Sequence, residues 1–185
     1  VKDVSCDLSA GTIYALVGKS GSGKTTLLSI RAGLHTPQSG DIIVGGQSLR
    51  EIDVDIYRRK QASVIYQSYN LFPLMTVCEN VMYPLKLLRH SDADAKKEAQ
   101  IALEKVGLGE SYWKRLPAML SGGEQQRVAI ARTLAVHAQI ILADEPTGNL
   151  DTENSTQIIQ LLSRQAHEEN CCVEFVTHYQ EVAKA

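Results

Sequence analysis

The residues with the clearest chemistry form the stretch GKSGSGKT at 18–25. Its three glycines allow the backbone to turn tightly, so that several N–H groups point at one anion. In this pattern Lys24 brings a positive charge to the β- and γ-phosphates of a nucleotide, and the Thr25 hydroxyl can ligate Mg²⁺. We expect a phosphate loop whose binding residues are Gly18, Lys19, Ser20, Gly21, Ser22, Gly23, Lys24, Thr25 and Thr26.

An acidic pair, Asp144 and Glu145, follows the apolar run that begins at Gln139. An acid at the carboxyl end of a buried strand lies at the sheet edge where phosphate loops are found. We expect Asp144 to hold Mg²⁺ through a water, because Mg²⁺ releases its water reluctantly, and Glu145 to face the attacking water. An acidic pair after a strand is usually a solvated strand end. The phosphate loop upstream favours the functional interpretation.

A second candidate anion site is LSGGEQ at 120–125, about a hundred positions beyond the phosphate loop. Ser121, Gly122 and Gly123 lead directly into a helical pattern over 124–136. The first N–H groups of a helix lack partners within the helix and can bind an anion. One small chain thus carries two anion-binding devices that are far apart in sequence.

The elements that position these residues alternate between strands and helices. Such alternation predicts an α/β fold with a mostly parallel sheet flanked by helices. The stretch from about 68 to 120 contains only helical patterns, which predicts an inserted all-helical subdomain. The expected strands are 12–18, 62–67, 139–145 and 171–178, with a further strand that runs into a turn at 40–47, and the expected helices are 25–34, 75–88, 91–108, 124–136 and 152–169.

Composition limits the classes of function. The chain has 185 residues, 44% hydrophobic and 22% charged, which suits one domain with an inserted subdomain. A formal net charge of -2 gives no basic field, so we expect no nucleic-acid partner. The four cysteines form no CxxC pair, which favours reduced structural thiols in a cytosolic protein. The longest apolar run is broken by Arg132 and His137, so any link to a membrane requires a partner.

Taken together, the motifs strongly resemble the nucleotide-binding domain of an ATP-binding cassette (ABC) transporter. The resemblance covers essentially the whole chain and implies a P-loop NTPase, with a RecA-like core at 1–67 and 136–185 and a helical subdomain at 68–135. The motifs in chain order are the phosphate loop at 18–25, Gln67 in IYQ, the signature LSGGEQ at 120–125, ILADE at 141–145, GNLD at 148–151 and His178 in VTH.

The resemblance implies roles that spacing cannot assign. ATP and Mg²⁺ would be the ligands, and Gln67 would touch both Mg²⁺ and the attacking water. Glu145 would act as general base or water-positioning carboxylate. His178 would contact the γ-phosphate, and Asp151 would lie at the seam between two domains. Taken alone, Gln67 and His178 would more simply be structural residues at strand ends.

In this family two domains face each other head to tail and enclose two ATP molecules. Ser121, Gly122 and Gly123 of one domain would therefore complete the phosphate site of the other. The stretch 68–84 would dock a transmembrane permease subunit, although half of its residues fit equally well as core of the helical subdomain. The chain would then be cytoplasmic, peripheral on the inner face of the cell membrane.

The strings ADEPTGNLD and YNLFPLMTVCENV resemble the branch of lipoprotein-releasing, macrolide-efflux and antimicrobial-peptide-resistance ATPases. This implies coupling of ATP hydrolysis to a permease that exports or extracts a lipoprotein, peptide or drug-like substrate. Two alternatives stay open: a non-transport ABC ATPase, and a regulatory one that signals through a membrane partner. The family's adenine-stacking aromatic has no counterpart before Tyr14, and seven residues follow His178, so we expect a domain truncated at both ends.

Overall fold

The computed structural model describes residues 1–148, 150 and 152–177. Among these residues, four strands form one sheet in the order β1-β6-β5-β4, and every neighbouring pair is parallel. The parallel α/β architecture expected from the alternating pattern is thereby confirmed. In chain order the strands are β1 Ile13–Val17, β2 Ile43–Val44, β3 Gln47–Ser48, β4 Ala62–Ile65, β5 Ile140–Asp144 and β6 Cys172–Thr177.

Helices flank the sheet and also form the stretch between β4 and β5. The described helices are α1 Lys24–Arg31, α2 Val54–Lys60, α3 Val77–Leu87, α4 Asp92–Lys105, α5 Glu110–Trp113, α6 Gly122–Leu134 and α7 Thr152–Glu168, with a short 3₁₀ helix at Pro117–Met119. Helices α3, α4 and α6 pack against one another, and α6 also contacts β4. The hydrophobic core runs from these helices into β5 and β6. The division of the chain into a RecA-like core and a helical subdomain, at 67/68 and 135/136, stays a prediction.

The strand running into a turn that the sequence predicts at 40–47 is present as β2 and its turn, whereas β3 and α2, which follow before β4, were not predicted. Strands β2 and β3 form an antiparallel hairpin around Gly45 and Gly46. Both glycines have positive φ, 56° and 81°, as a tight two-residue hairpin turn requires. Helix α2 follows, capped by the Asp53 side chain, which accepts hydrogen bonds from the backbone of Asp55 and Ile56.

A buried ion pair ties α1 to the central strand β6. The Arg31 guanidinium donates to the Glu174 carboxylate, whose side chain is only 4% exposed. Burial raises the pKa of Glu174, and the neighbouring Arg31 opposes that rise. The Tyr57 hydroxyl donates to the Arg31 carbonyl at 2.8 Å and brings α2 to the same place. Burial raises the pKa of Tyr57 to about 12. The ion pair between Arg31 and Glu174 thus fixes the C-terminal end of α1, the helix that begins at the phosphate loop.

We expect Glu174→Leu alone to lower the free energy of unfolding by about 2–4 kcal/mol, because it leaves a largely buried guanidinium without its carboxylate. The double substitution Arg31→Met with Glu174→Leu should recover most of that loss, since both charges are then removed. Urea unfolding of the two variants and the parent protein measures both effects. A double variant as unstable as Glu174→Leu would contradict this account of the pair.

Candidate nucleotide-binding site

The phosphate loop connects the end of β1 to the start of α1, as its sequence requires. Gly23 precedes α1 with φ 91°, in the left-handed region, and no side chain caps the helix there. A Cβ on Gly21, which has φ 77°, would meet no atom within 4 Å, so the loop surrounds open space. The Lys24 ammonium donates to the carbonyls of Gly18 at 2.7 Å and Lys19 at 2.9 Å. The loop thus combines a lysine with uncapped helix N–H groups, two features that favour a bound phosphate.

Asp144 meets the phosphate loop at the carboxyl edge of the sheet. It is the last residue of β5, and the Thr25 hydroxyl donates to its Oδ1 at 3.2 Å. Burial raises the pKa of Asp144, and the neighbouring Glu145 adds to the rise, while the Thr25 hydrogen bond and the Lys24 charge oppose it. A cation at this place would favour the ionised carboxylate. A hydroxyl and a carboxylate are the hard oxygen ligands that suit Mg²⁺.

Glu145 lies beside Gln67, although 78 positions separate them in sequence. The Gln67 amide donates to Glu145 Oε2 at 3.1 Å, joining the chain that follows β4 to the chain that follows β5. Glu145 has φ 48°, a left-handed backbone that is uncommon for residues other than glycine and is typical of functional sites. Its N–H donates to the Val176 carbonyl at 3.1 Å, and its carbonyl accepts from Gly148 at 3.1 Å.

The signature forms a well-defined helix start. Ser121 caps α6: its hydroxyl accepts from the Glu124 N–H at 3.3 Å, and Glu124 Oε2 accepts from the Ser121 N–H at 2.7 Å. This reciprocal pair is a capping box. The hydrogen bond from the Ser121 backbone holds the pKa of Glu124 below its usual range. The geometry leaves the N–H groups of Gly122 and Gly123 at the helix end, where an anion is favoured.

Both signature glycines lie close to neighbouring side chains. A Cβ on Gly122 would lie 3.1 Å from the Tyr69 hydroxyl, and a Cβ on Gly123 would lie 3.0 Å from Leu150 Cδ2. Larger side chains would have to displace these neighbours. The start of α6 is therefore packed between the loop after β4 and the chain after β5.

The structure brings Lys24, Thr25 and Asp144 together, and it joins Gln67 to Glu145. Asp151 and His178 lie outside the described residues, so their roles stay predictions.

Sequence reasoning missed two residues near the site, Tyr69 and Arg132. Arg132 could have been found from the sequence, because it is the one arginine in the apolar run 128–136 and a buried arginine needs hydrogen-bond acceptors.

The class of P-loop nucleotide hydrolases is defined by a strand, a phosphate loop and a helix, together with an acid at the end of another parallel strand of the same sheet. A family model described as ABC transporter matches residues 1–148. The uncharacterized ABC transporter ATP-binding protein YclH of Bacillus subtilis (strain 168) is 38% identical over 183 residues, covering 99% of this chain and 81% of that protein. The chain belongs to the ABC transporter family, and it is an ABC-type ATPase.

Two further similarities extend this result. The lipoprotein-releasing system ATP-binding protein LolD of Syntrophotalea carbinolica is 44% identical over 178 residues, covering 95% of this chain and 78% of LolD. The dimeric structure of MJ0796, a bacterial ABC transporter cassette, superimposes with a TM-score of 0.92 at 37% identity, covering 100% of this chain and 82% of that one. A post-hydrolysis dimer of MJ0796 bound to ADP and Pi gives a TM-score of 0.91. The phosphate-binding fold is thus shared along the whole chain.

Proposed function

We propose that two copies of this chain bind two ATP molecules between them and hydrolyse them to drive a membrane permease. The observation that carries the proposal is the contact of Thr25 with Asp144 at 3.2 Å, beside the Lys24 ammonium. It supplies half of an ATP site. The capped start of α6, with Ser121, Gly122 and Gly123, supplies the other half to a second copy. The similarity to dimeric MJ0796 supports this arrangement.

In this proposal each side chain near the phosphates has one task. Thr25, Asp144 and Gln67 would hold Mg²⁺, which offsets the charge on the phosphates when it is bound. Glu145 would position the attacking water and accept its proton, with its carboxylate oriented by the Gln67 amide. From the family resemblance, His178 would contact the γ-phosphate and Asp151 the seam between the copies.

The groove beside residues 68–84 suits a docking segment of a permease. It encloses about 440 Å³. Phe72 packs against Tyr83 with ring centroids 4.6 Å apart, and Leu74 is 90% exposed. The groove also presents the exposed side chains of Arg58 and Arg59, so it fits a segment with apolar residues and at least one carboxylate. Its lining is Ala32, Leu34, Arg58, Arg59, Ala62, Ser63, Val64, Tyr66, Phe72, Tyr83, Pro84, Leu87, Arg132, Thr133 and Val136.

The rim of this groove is held in shape by Asn80, which is fully buried in α3. Its side-chain oxygen accepts from the Phe72 N–H at 2.7 Å. Its amide donates to the carbonyls of Phe72, Met75 and Thr76 at 3.0–3.1 Å. A surface loop fixed by one buried amide is preformed for a partner, because little ordering remains to be done on binding.

Membrane association would come through this docked subunit. Within the described parts of the chain, none of the helices has the length and apolar content needed to cross a bilayer. We place the chain at the inner face of the cell membrane. The 44% identity with a lipoprotein-releasing ATPase supports export or extraction of a lipoprotein, peptide or drug-like molecule.

The experiment is affinity capture of this protein co-expressed with the permease encoded beside its gene, followed by reconstitution in lipid vesicles. We expect the permease to co-purify, and ATP to drive release of a fluorescent lipopeptide from the vesicles. Substituting Arg58 and Arg59 in the groove with glutamate should reduce co-purification about tenfold. Substituting Lys97 and Arg164 with glutamate makes the same number of charge reversals at exposed positions outside the groove lining and serves as the control.

Two outcomes would contradict the proposal. ATP hydrolysis by a protein that captures no membrane subunit would indicate a non-transport ABC ATPase. Capture of the permease with ATP binding, but without movement of the lipopeptide or of any peptide or drug-like substrate tested, would indicate a regulatory role.

A further inference from the structure

We propose that a cleft beside the hairpin β2–β3 binds a small zwitterion with an apolar side chain, of the size of a free α-amino acid. The cleft lies between the end of α1, the hairpin and the start of α2, and we call it the hairpin cleft. It encloses about 370 Å³, at the lower end of the range of small-molecule sites, about 300–1,000 Å³. None of the described residues lines both this cleft and the groove beside residues 68–84. The inference does not depend on the two-copy arrangement.

One side of the hairpin cleft is aliphatic. It is lined by side chains from the end of α1, from both sides of the hairpin and from the start of α2, namely Ile30, Ile42, Leu49, Ile52 and Val54. Leu49 is buried, and the other four are half-buried. Their remaining apolar surface borders a concave space, so an apolar ligand group placed there would be removed from water, which favours binding.

The walls of the cleft are held in place by close packing and a hairpin hydrogen bond. A Cβ on Gly33 would lie 2.7 Å from Val54 Cγ1, so the chain after α1 lies directly against the start of α2. The Leu49 N–H donates to the Ile42 carbonyl at 2.9 Å and joins the two sides of the hairpin next to the cleft. A preformed site loses little freedom when a ligand binds.

Opposite charges meet at the margin of the cleft. The hairpin register sets Ile43 opposite Ser48 and thereby brings Asp41 near Arg50. Arg50 Nε lies 3.9 Å from Asp41 Oδ1, beyond hydrogen-bond distance, and the two side chains are 47% and 38% exposed. Asp41 Oδ1 instead accepts from the Ile42 N–H at 2.8 Å and from the Ser48 hydroxyl at 2.9 Å. The carboxylate is therefore oriented by the hairpin and not by the arginine.

Arg50 is oriented by the loop that follows α1. Its Nη2 donates to the Pro37 carbonyl at 2.9 Å and to the Gly40 carbonyl at 3.1 Å. Within the part of the chain that the structure describes, Arg50 Nη1 and Asp41 Oδ2 make no hydrogen bond. The margin thus offers one charged donor and one charged acceptor, each on a group that the protein already holds in position.

This pair of charges selects the class of ligand. A carboxylate suits the guanidinium, and an ammonium group suits the carboxylate of Asp41. A ligand with one charge only would be repelled by one of the two side chains. An α-amino acid carries both charges on neighbouring atoms and directs its side chain away from them. An aliphatic side chain would then lie against the apolar wall of the cleft.

The hairpin cleft is separate from the nucleotide site. Ile30 lies near the C-terminal end of α1, whereas Lys24 of the phosphate loop begins this helix. Eight helical residues span about 12 Å. Occupation of the phosphate loop by ATP should therefore leave the cleft accessible.

The first test is isothermal titration of the protein with L-leucine and three matched probes. Glycine lacks the apolar side chain, 4-methylpentanoate lacks the ammonium group, and 3-methylbutylamine lacks the carboxylate. We expect leucine to bind with a dissociation constant of about 1 mM or below. Each of the other probes should bind at least about tenfold more weakly, as expected when a charged hydrogen bond or the apolar contact is lost. Leucine should bind equally well to Glu145→Gln protein saturated with ATP and Mg²⁺.

The second test uses variants of the cleft. Arg50→Met removes the partner of the ligand carboxylate, and we expect it to weaken leucine binding at least about tenfold. Because Arg50 also holds the loop after α1, Thr36→Trp is a second variant: it leaves both charges in place and fills the cleft from an exposed lining position. Arg164→Met, exposed on α7, is the control and should bind leucine like the parent protein. Melting temperatures show that each variant is folded.

Four results would overturn the inference. They are leucine binding no more tightly than glycine, either singly charged probe binding as tightly as leucine, unchanged leucine binding by folded Thr36→Trp, and displacement of leucine by ATP. The last would place leucine in the nucleotide site.

Discussion

Glu145→Gln is expected to reduce ATP hydrolysis by about a hundredfold or more while ATP binding persists and the two-copy complex accumulates. Glutamine keeps the size of the side chain and can still face Gln67, but it cannot accept a proton from the attacking water. The phosphate loop and Asp144 are unchanged, so nucleotide binding should remain. Steady-state phosphate release and size-exclusion chromatography with ATP measure the two effects.

Glu168→Gln is a matched control for this prediction. It makes the same chemical change at an exposed position in the last turn of α7. We expect its rate to equal that of the parent protein. Hydrolysis by Glu145→Gln at the parent rate would show that another group carries out the proton transfer.

Ser121→Arg is expected to leave ATP binding by the monomer intact and to block both dimerisation and hydrolysis. The substitution removes the hydroxyl that accepts from the Glu124 N–H and places a long side chain at the helix start that would face the second copy. Isothermal titration of the protein with ATP, and hydrolysis measured over a range of protein concentrations, separate binding from assembly.

Ser91→Arg controls for the loss of a helix cap. Ser91 caps α4 in the same way, accepting from the Asp94 N–H at 3.1 Å, and it lies outside the proposed seam. Cap loss alone costs about 1 kcal/mol, so this variant should still dimerise and hydrolyse ATP. Hydrolysis that persists in Ser121→Arg and does not depend on protein concentration would contradict the shared-site arrangement.

The sequence predicted the parallel fold because its strands are short apolar runs separated by amphipathic helices. It did not predict α2, although Asp53 is a good N-cap, because seven residues give a weak helical pattern. The glycines of GDIIVGGQ predicted the turn after β2, but the sequence did not predict β3, because a two-residue strand carries little signal.

Some residues of the candidate site could likewise be predicted from the sequence, whereas the contacts between others could not. Lys24, Thr25 and Asp144 could be predicted from residue types placed next to a strand, since parallel strands end at one edge. The Gln67–Glu145 hydrogen bond joins residues 78 positions apart and depends on β4 lying beside β5. The contacts of Arg132 with the loop after Gln67 depend on how α6 packs. Such contacts follow from tertiary structure and have no local pattern.

The strand order has a consequence for how the protein is made. Among the described strands of the sheet β6 comes last in the chain, yet it lies between β1 and β5, and all six of its residues are buried. Until residues 172–177 leave the ribosome, β1 and β5 each present an unpaired edge, which is a hazard for aggregation. The nascent chain therefore has to keep β1 available while more than 150 further residues are translated. In the described sheet β6 joins β1, which leads into the phosphate loop, to β5, which ends in Asp144, so a ribosome-bound chain that lacks β6 is expected not to bind ATP.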